Sequence, residues 1–206
     1  MNRYFAWFGL PGSFVLTLLM SLYALALALL GGSPWRWLCF AAMALSSVGD
    51  IFLMRFGGLQ RIFPNYFVIG AGFFMLAHAV YTAAFTVRIR SAGGVLMNAG
   101  TLLAIALCAA CLAYFLPMAL KPRNLSRLPL VAVYLLVISV ACAVECAYAG
   151  ACWRQTPRAV LSAIGAVSFL LSDAVIGYGM LTGISRHDWL IWWLYPVGQI
   201  LLITGL

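Results

Sequence analysis

The chain has 206 residues, of which 66% are hydrophobic and only 8% charged, with a mean hydropathy of +1.07 and a formal net charge of +8. A soluble domain carries about 25% charged residues, so this composition excludes a soluble globular enzyme and leaves no length for a soluble module beside a membrane domain. The positive charge does not point to nucleic acid either, because the twelve Lys and Arg are scattered at the ends of apolar runs, as loop anchors beside anionic headgroups are.

Seven apolar runs can be drawn, roughly 12–30, 35–54, 66–87, 95–117, 128–150, 159–181 and 189–206. Each approaches the ~20 residues a helix needs to cross the hydrocarbon. None shows the alternation of a membrane barrel strand. The expected fold is an all-α integral membrane protein: one compact, multi-pass bundle of about seven transmembrane helices, a single domain over residues 1–206.

The first run follows Arg3 and contains Pro11 and Gly12 without a clear cleavage site, so a retained helix is expected rather than a signal peptide. "GGSP" at 31–34 ends it. The second run holds "LSSVGDIFLM" (45–54), with Asp50 among apolar neighbours; Arg55 follows, so a helix-end ion pair also fits. After the loop "GGLQRIFPN" (57–65), the third run places Gly70, Phe74, His78 and Tyr81 within an arc of about 80°. A lone helical His also fits an interior hydrogen-bonder.

"RIRSAGG" (88–94) leads into the fourth run, where Cys108 and Cys111 form a CxxC that reads as packing. The six cysteines suggest neither a disulfide framework nor a zinc site. Beyond "KPRNLSR" (121–127), the fifth run carries Tyr134 and Glu145; beyond "RQTPR" (154–158), the sixth carries Gly165, Phe169, Ser172 and Asp173. "SRHD" (185–188) supplies solvated His187 and Asp188. The last run opens with Trp189, Trp192 and Trp193, an interfacial belt, and continues to Tyr195 and Gln199 one turn apart. Small residues such as Gly49, Gly70 and Gly165 allow close helix approach.

Seven cations on the side of the N-terminus (Arg3, Arg55, Arg61, Lys121, Arg123, Arg127, Arg186) face five on the other (Arg36, Arg88, Arg90, Arg154, Arg158), which favours a cytoplasmic N-terminus.

An acid near a helix centre costs about 2.5–3.5 kcal/mol on insertion scales, so such residues face the bundle interior and have work to do. Depth follows from the helical rise, counted from the side holding the loops after the second, fourth and sixth runs. Asp50 falls about 6 Å in, Tyr134 and Tyr195 about 9 Å, Asp173 about 12 Å, Gln199 about 15 Å and His78 about 18 Å. Glu145 lies near the far end of its helix and stays out of this group. Tyr134, Tyr195 and Gln199 taken singly fit interhelical bonding, and Ser46, Ser47 and Ser172 fit bonding back to their own helix carbonyls.

"SSVGD", "GAGFFMLAHAVY", "GAVSFLLSD" and "YPVGQILL", in this order, resemble the YhhN family of membrane proteins, which includes the lysoplasmalogenases; Tyr134 in "LVAVYLLVIS" fits a further family position. The family commonly has eight helices and a Lys-Pro near the start of its second; here Leu10 stands before Pro11. The resemblance implies hydrolysis of the vinyl ether bond of lysoplasmalogens to a fatty aldehyde and a glycerophospho-headgroup, with Asp50 and Asp173 as the acids that matter.

That chemistry protonates the outer alkenyl carbon, and water then attacks the resulting oxocarbenium ion. Two aspartates in an apolar interior can supply both roles, one carrying the proton and the other free to accept one. Asp173, the deeper, is expected as acid and Asp50 as base. His78 and Gln199 orient water or the ether oxygen, and Tyr81, Tyr134, Ser172 and Tyr195 line the substrate. No cofactor and no metal are required: a zinc site wants about three ligands, and the interior offers one histidine. Asp50, Asp173 and His78 together are the remaining way to hold a cation.

The expected partners are lysophospholipid substrate and membrane lipid, with Arg55, Arg61 and Lys121 nearest the headgroup and a bacterial inner membrane as the location. Two other classes stay open. A proton-coupled small-molecule transporter would use Glu145 as its far-side group. A non-catalytic protein would bind lysolipid without turnover.

Overall fold

The computed structural model describes residues 10–122, 126, 128–184 and 187–206, and their side chains except those of residues 10–14, 56 and 188. Arg3, Arg123, Arg127 and Arg186, four of the cations behind the expected orientation, lie outside the described residues, as does the Asp188 side chain. Every regular element described is helical: α1 (Leu10–Gly31), α2 (Pro34–Leu53), a 3-10 turn (Phe56–Gly58), α3 (Leu59–Ile62), α4 (Tyr66–Ser91), α5 (Ala99–Ala119), α6 (Leu128–Cys152), α7 (Ala159–Thr182) and α8 (Asp188–Gly205). Five of these, α2 and α4 to α7, are long and apolar enough to cross a membrane; the apolar stretches Val15–Gly31 and Trp189–Gly205 are shorter. The helical membrane class therefore stands, and the count of seven spans includes two that fall short of that length.

Two boundaries differ from the expected runs. Residues 57–65 are not a plain loop. Arg55, Gly57 and Gly58 take φ of 56°, 61° and 79°, and these left-handed residues turn the chain into the short α3. In turn, α5 starts at Ala99, because Asn98 caps it. The Asn98 side chain accepts from the amides of Gly100 (2.9 Å) and Thr101 (3.4 Å). Its amide donates to Val95 O and to Ala147 O, both at 2.9 Å.

The chain divides within α4, after Ala84, into two compact units. In the first, α1 buries Thr17, Met20, Ser21, Ala24 and Ala28, and α2 buries Cys39, Ala42, Met43, Ser46, Gly49 and Asp50. Both stripes repeat every three or four residues, the spacing of a helix pair packed along one seam. "GGSP" makes the return tight: Gly32 has φ of 60° and Pro34 opens α2, where its missing N–H is no loss. Helices α2 and α4 meet at a glycine pair, where a Cβ on Gly49 would lie 3.1 Å from Gly70 O and one on Gly70 3.1 Å from Gly49 O.

In the second unit, α5 docks on α6 at Gly100, whose missing Cβ leaves room for the Cys146 carbonyl. Tyr148 of α6 donates to Gly205 O of α8 at 3.2 Å. Arg88, at the end of α4, reaches Thr156 (3.3 Å). Glycine again sets the α7–α8 contact: a Cβ on Gly165 would lie 2.8 Å from both Gly198 O and Leu202 N.

Candidate functional site

Each of the two intramembrane aspartates is held by a hydroxyl from the neighbouring helix of its own unit. In the first unit, Asp50 is 6% exposed. Thr17 Oγ1 of α1 donates to its Oδ2 at 2.7 Å. Thr17 Oγ1 also lies 3.1 Å from Ser47 Oγ, and Ser47 Oγ lies 2.6 Å from Ser21 Oγ. Ser47 donates to Met43 O at 3.0 Å, the back-bond expected for a serine inside a helix. Arg55 places its guanidinium 4.8 Å from the centre of the Tyr66 ring, a cation–π contact.

His78 is 2% exposed and shares the buried face of α4 with Gly70, Phe74 and Tyr81. Gly70 stands at the level of Gly49, beside Asp50. Tyr81, whose hydroxyl meets Met43 Sδ at 3.9 Å, stands at the level of Met43. His78 lies between these levels, its ring centre 6.5 Å from that of Tyr81. It is therefore deeper in the unit than Asp50, as the helical rise requires.

In the second unit, Tyr134 of α6 donates to Asp173 Oδ2 of α7 at 2.7 Å. Asp173 is half-buried, whereas Asp50 is buried. The reason is local: Asp50 lies on the buried stripe of α2 beneath Thr17, while Asp173 lies one residue past the buried Ser172. Phe169 packs edge-on against Tyr195 at 5.5 Å. Gln199 is fully buried one turn beyond Tyr195, beside the glycine contact of α7 and α8.

Ser172 departs from expectation. Its fully buried hydroxyl does not bond back to the helix and has no partner among the described residues. A donor and acceptor held in that state suits a polar ligand atom or water better than packing does.

Thr17 and Ser21 are the residues that reading the chain missed. They sit four apart in an otherwise greasy helix, the one available signal. Arg55, Arg61 and Lys121 are exposed, as headgroup anchors or simple loop residues are. The six cysteines carry free thiols, and among the described residues no three of His, Cys, Asp and Glu are grouped to hold an ion.

Glu145 stands apart. It is 1% exposed, and its Oε1 has no hydrogen-bond partner among the described residues. A buried polar atom left unsatisfied costs about 1–3 kcal/mol. Glu145→Met is therefore expected to raise the thermal midpoint of the purified protein by a few degrees. An unchanged or lower midpoint would show that the carboxyl is satisfied or functional instead.

These observations define a helical integral membrane protein in which Asp50 and Asp173 each accept a bond from a hydroxyl on the neighbouring helix. Residues 13–206 match the YhhN family, and the chain belongs to that family. Among curated proteins and solved structures, none matches this chain.

Proposed function

We propose that this protein is a hydrolase of the vinyl ether bond of lysoplasmalogens, with Asp173 as its acid and Asp50 as its base. The observation that carries this reading is the pair of carboxyls on YhhN-family helices, each receiving one 2.7 Å bond from a hydroxyl. Such a bond fixes one oxygen of each carboxyl and so orients the group for proton transfer.

The protonated carboxyl delivers its proton to the outer alkenyl carbon, and positive charge develops on the carbon attached to the ether oxygen. The ionised carboxyl takes a proton from water as the oxygen of that water bonds to this cation. The hemiacetal then collapses to a fatty aldehyde and a free glycerol hydroxyl. The sum is the addition of one water molecule, and the acid and base have exchanged protonation states, so one proton transfer resets them. His78 and Gln199 orient the water or the ether oxygen in this scheme, and Tyr81, Ser172 and Tyr195 line the alkenyl chain. The family and the apolar interior both support a lipid substrate that keeps its chain in the membrane and its phosphate at the exposed cations.

Purified protein given a lysoplasmalogen is expected to release long-chain aldehyde stoichiometrically with glycerophospho-headgroup. Lysolipid binding with no aldehyde would replace this reading by the non-catalytic one.

A further inference from the structure

We infer that Thr17 is a positioning residue for Asp50, and that Ser47 and Ser21 form the hydroxyl chain that fixes Thr17; this rests on the hydrolase reading above. Nothing in the pattern of acids singles out α1. Its contribution comes from geometry. Thr17 is 1% exposed and Ser21 8% exposed, so neither hydroxyl faces an alternative solvent partner. A hydroxyl has one proton to donate. The shortest contact of Thr17 Oγ1 is Asp50 Oδ2 at 2.7 Å, against 3.1 Å to Ser47 Oγ. The shorter contact takes the proton.

Ser47 is placed to keep it there. Its own proton goes to Met43 O at 3.0 Å or to Thr17 O at 3.3 Å, and Ser21 Oγ closes on it at 2.6 Å. With Ser47 donating to a carbonyl, Ser21 is the donor in the Ser21–Ser47 contact. Two helices thus supply four polar groups in sequence, Ser21, Ser47, Thr17 and Asp50, along one buried seam. A β-branched side chain has few χ1 choices in a helix, and the contacts of Thr17 Oγ1 with Asp50 Oδ2 and Ser47 Oγ select one of them. A carboxyl on a helix can swing about χ1 and χ2, and the Thr17 bond removes that freedom from Oδ2. Proton transfer to water or to an alkenyl carbon depends on such alignment to a fraction of an ångström.

The test compares Thr17→Val, which keeps the shape and removes the hydroxyl, with Thr17→Ser, which keeps the hydroxyl. Thr17→Val is expected to lower kcat for aldehyde release about tenfold with KM changed less than about twofold. Thr17→Ser is expected to retain most of the wild-type kcat. A second readout needs no turnover. In infrared spectra of the membrane-reconstituted protein, the carboxyl band absent from Asp50→Asn should move in Thr17→Val and stay in place in Thr17→Ser.

Equal kcat in Thr17→Val and wild type, or equal loss in both variants, would overturn the positioning role. An unmoved band in Thr17→Val would overturn it too. A wild-type protein that releases no aldehyde would overturn the hydrolase reading and the kinetic claim with it. The band shift would then decide by itself whether Thr17 holds Asp50.

Discussion

Asp173→Asn and Asp50→Asn are each expected to cut aldehyde release from lysoplasmalogen at least about a hundredfold while the protein still folds. Folding should survive because asparagine keeps the size of aspartate and one acceptor oxygen. The hydroxyl of Tyr134, 2.7 Å from Asp173 Oδ2, and that of Thr17, 2.7 Å from Asp50 Oδ2, can still donate to the amide carbonyl. What the amide cannot do is deliver a proton or take one from water. The double variant should be little worse than the poorer single one, because residues that act as a unit lose their joint effect when either is removed. Near-normal turnover in either single variant would end the assignment. Multiplied losses in the double variant would show two independent roles instead.

Gly165→Val is expected to force α7 and α8 apart. An added Cβ meets backbone on two sides, 2.8 Å from Gly198 O and 2.8 Å from Leu202 N, with Leu201 Cβ at 3.1 Å. Backbone cannot turn aside as the end of a side chain can, so α7 and α8 must separate. Overpacking of this kind costs about 1–3 kcal/mol, and valine adds two methyl groups beyond the Cβ. The thermal midpoint in detergent should fall by several degrees. Aldehyde release should fall as well, because Phe169, Ser172 and Asp173 share the helix that has to move. Gly72→Ala is the control: no atom lies within 4 Å of a Cβ there, and the midpoint should hold or rise. A wild-type midpoint for Gly165→Val would mean that the two helices yield more easily than a backbone contact allows.

The glycine pairs show how far the chain could be read unaided. Gly49, Gly70 and Gly165 were legible because small residues inside apolar helices have few uses other than close approach. Their partners were not all legible: Gly198 matters only because α8 lies against α7, a tertiary fact. The long apolar runs were plain from hydropathy, since a span must satisfy its backbone internally. The folding of residues 57–65 was hidden, because left-handed backbone at Arg55, Gly57 and Gly58 is a local choice that composition does not reveal.

At the acids, the residues could be named and their surroundings could not. Asp50 and Asp173 stand out because ionisable groups in hydrocarbon are rare. Thr17 does not stand out, since a single hydroxyl in a helix can bond to its own carbonyls and cost little. Ser172 escapes such a reading for the same reason: the back-bond available to it in principle is not made, and its hydroxyl has no partner among the described residues. Such choices depend on which neighbour arrives, and one chain read alone does not contain that.

Asn98 joins two events that would otherwise be separate. Its oxygen begins α5, while its nitrogen holds the Val95 carbonyl of the preceding turn and grips the Ala147 carbonyl of α6, so one amide serves both a helix start and a helix–helix contact. Aspartate could perform the first task and would set its second oxygen against carbonyl oxygens in the other. The start of α5 is thus capped within its own turn, and the packing of α6 adds a bond that ties that start to its neighbour.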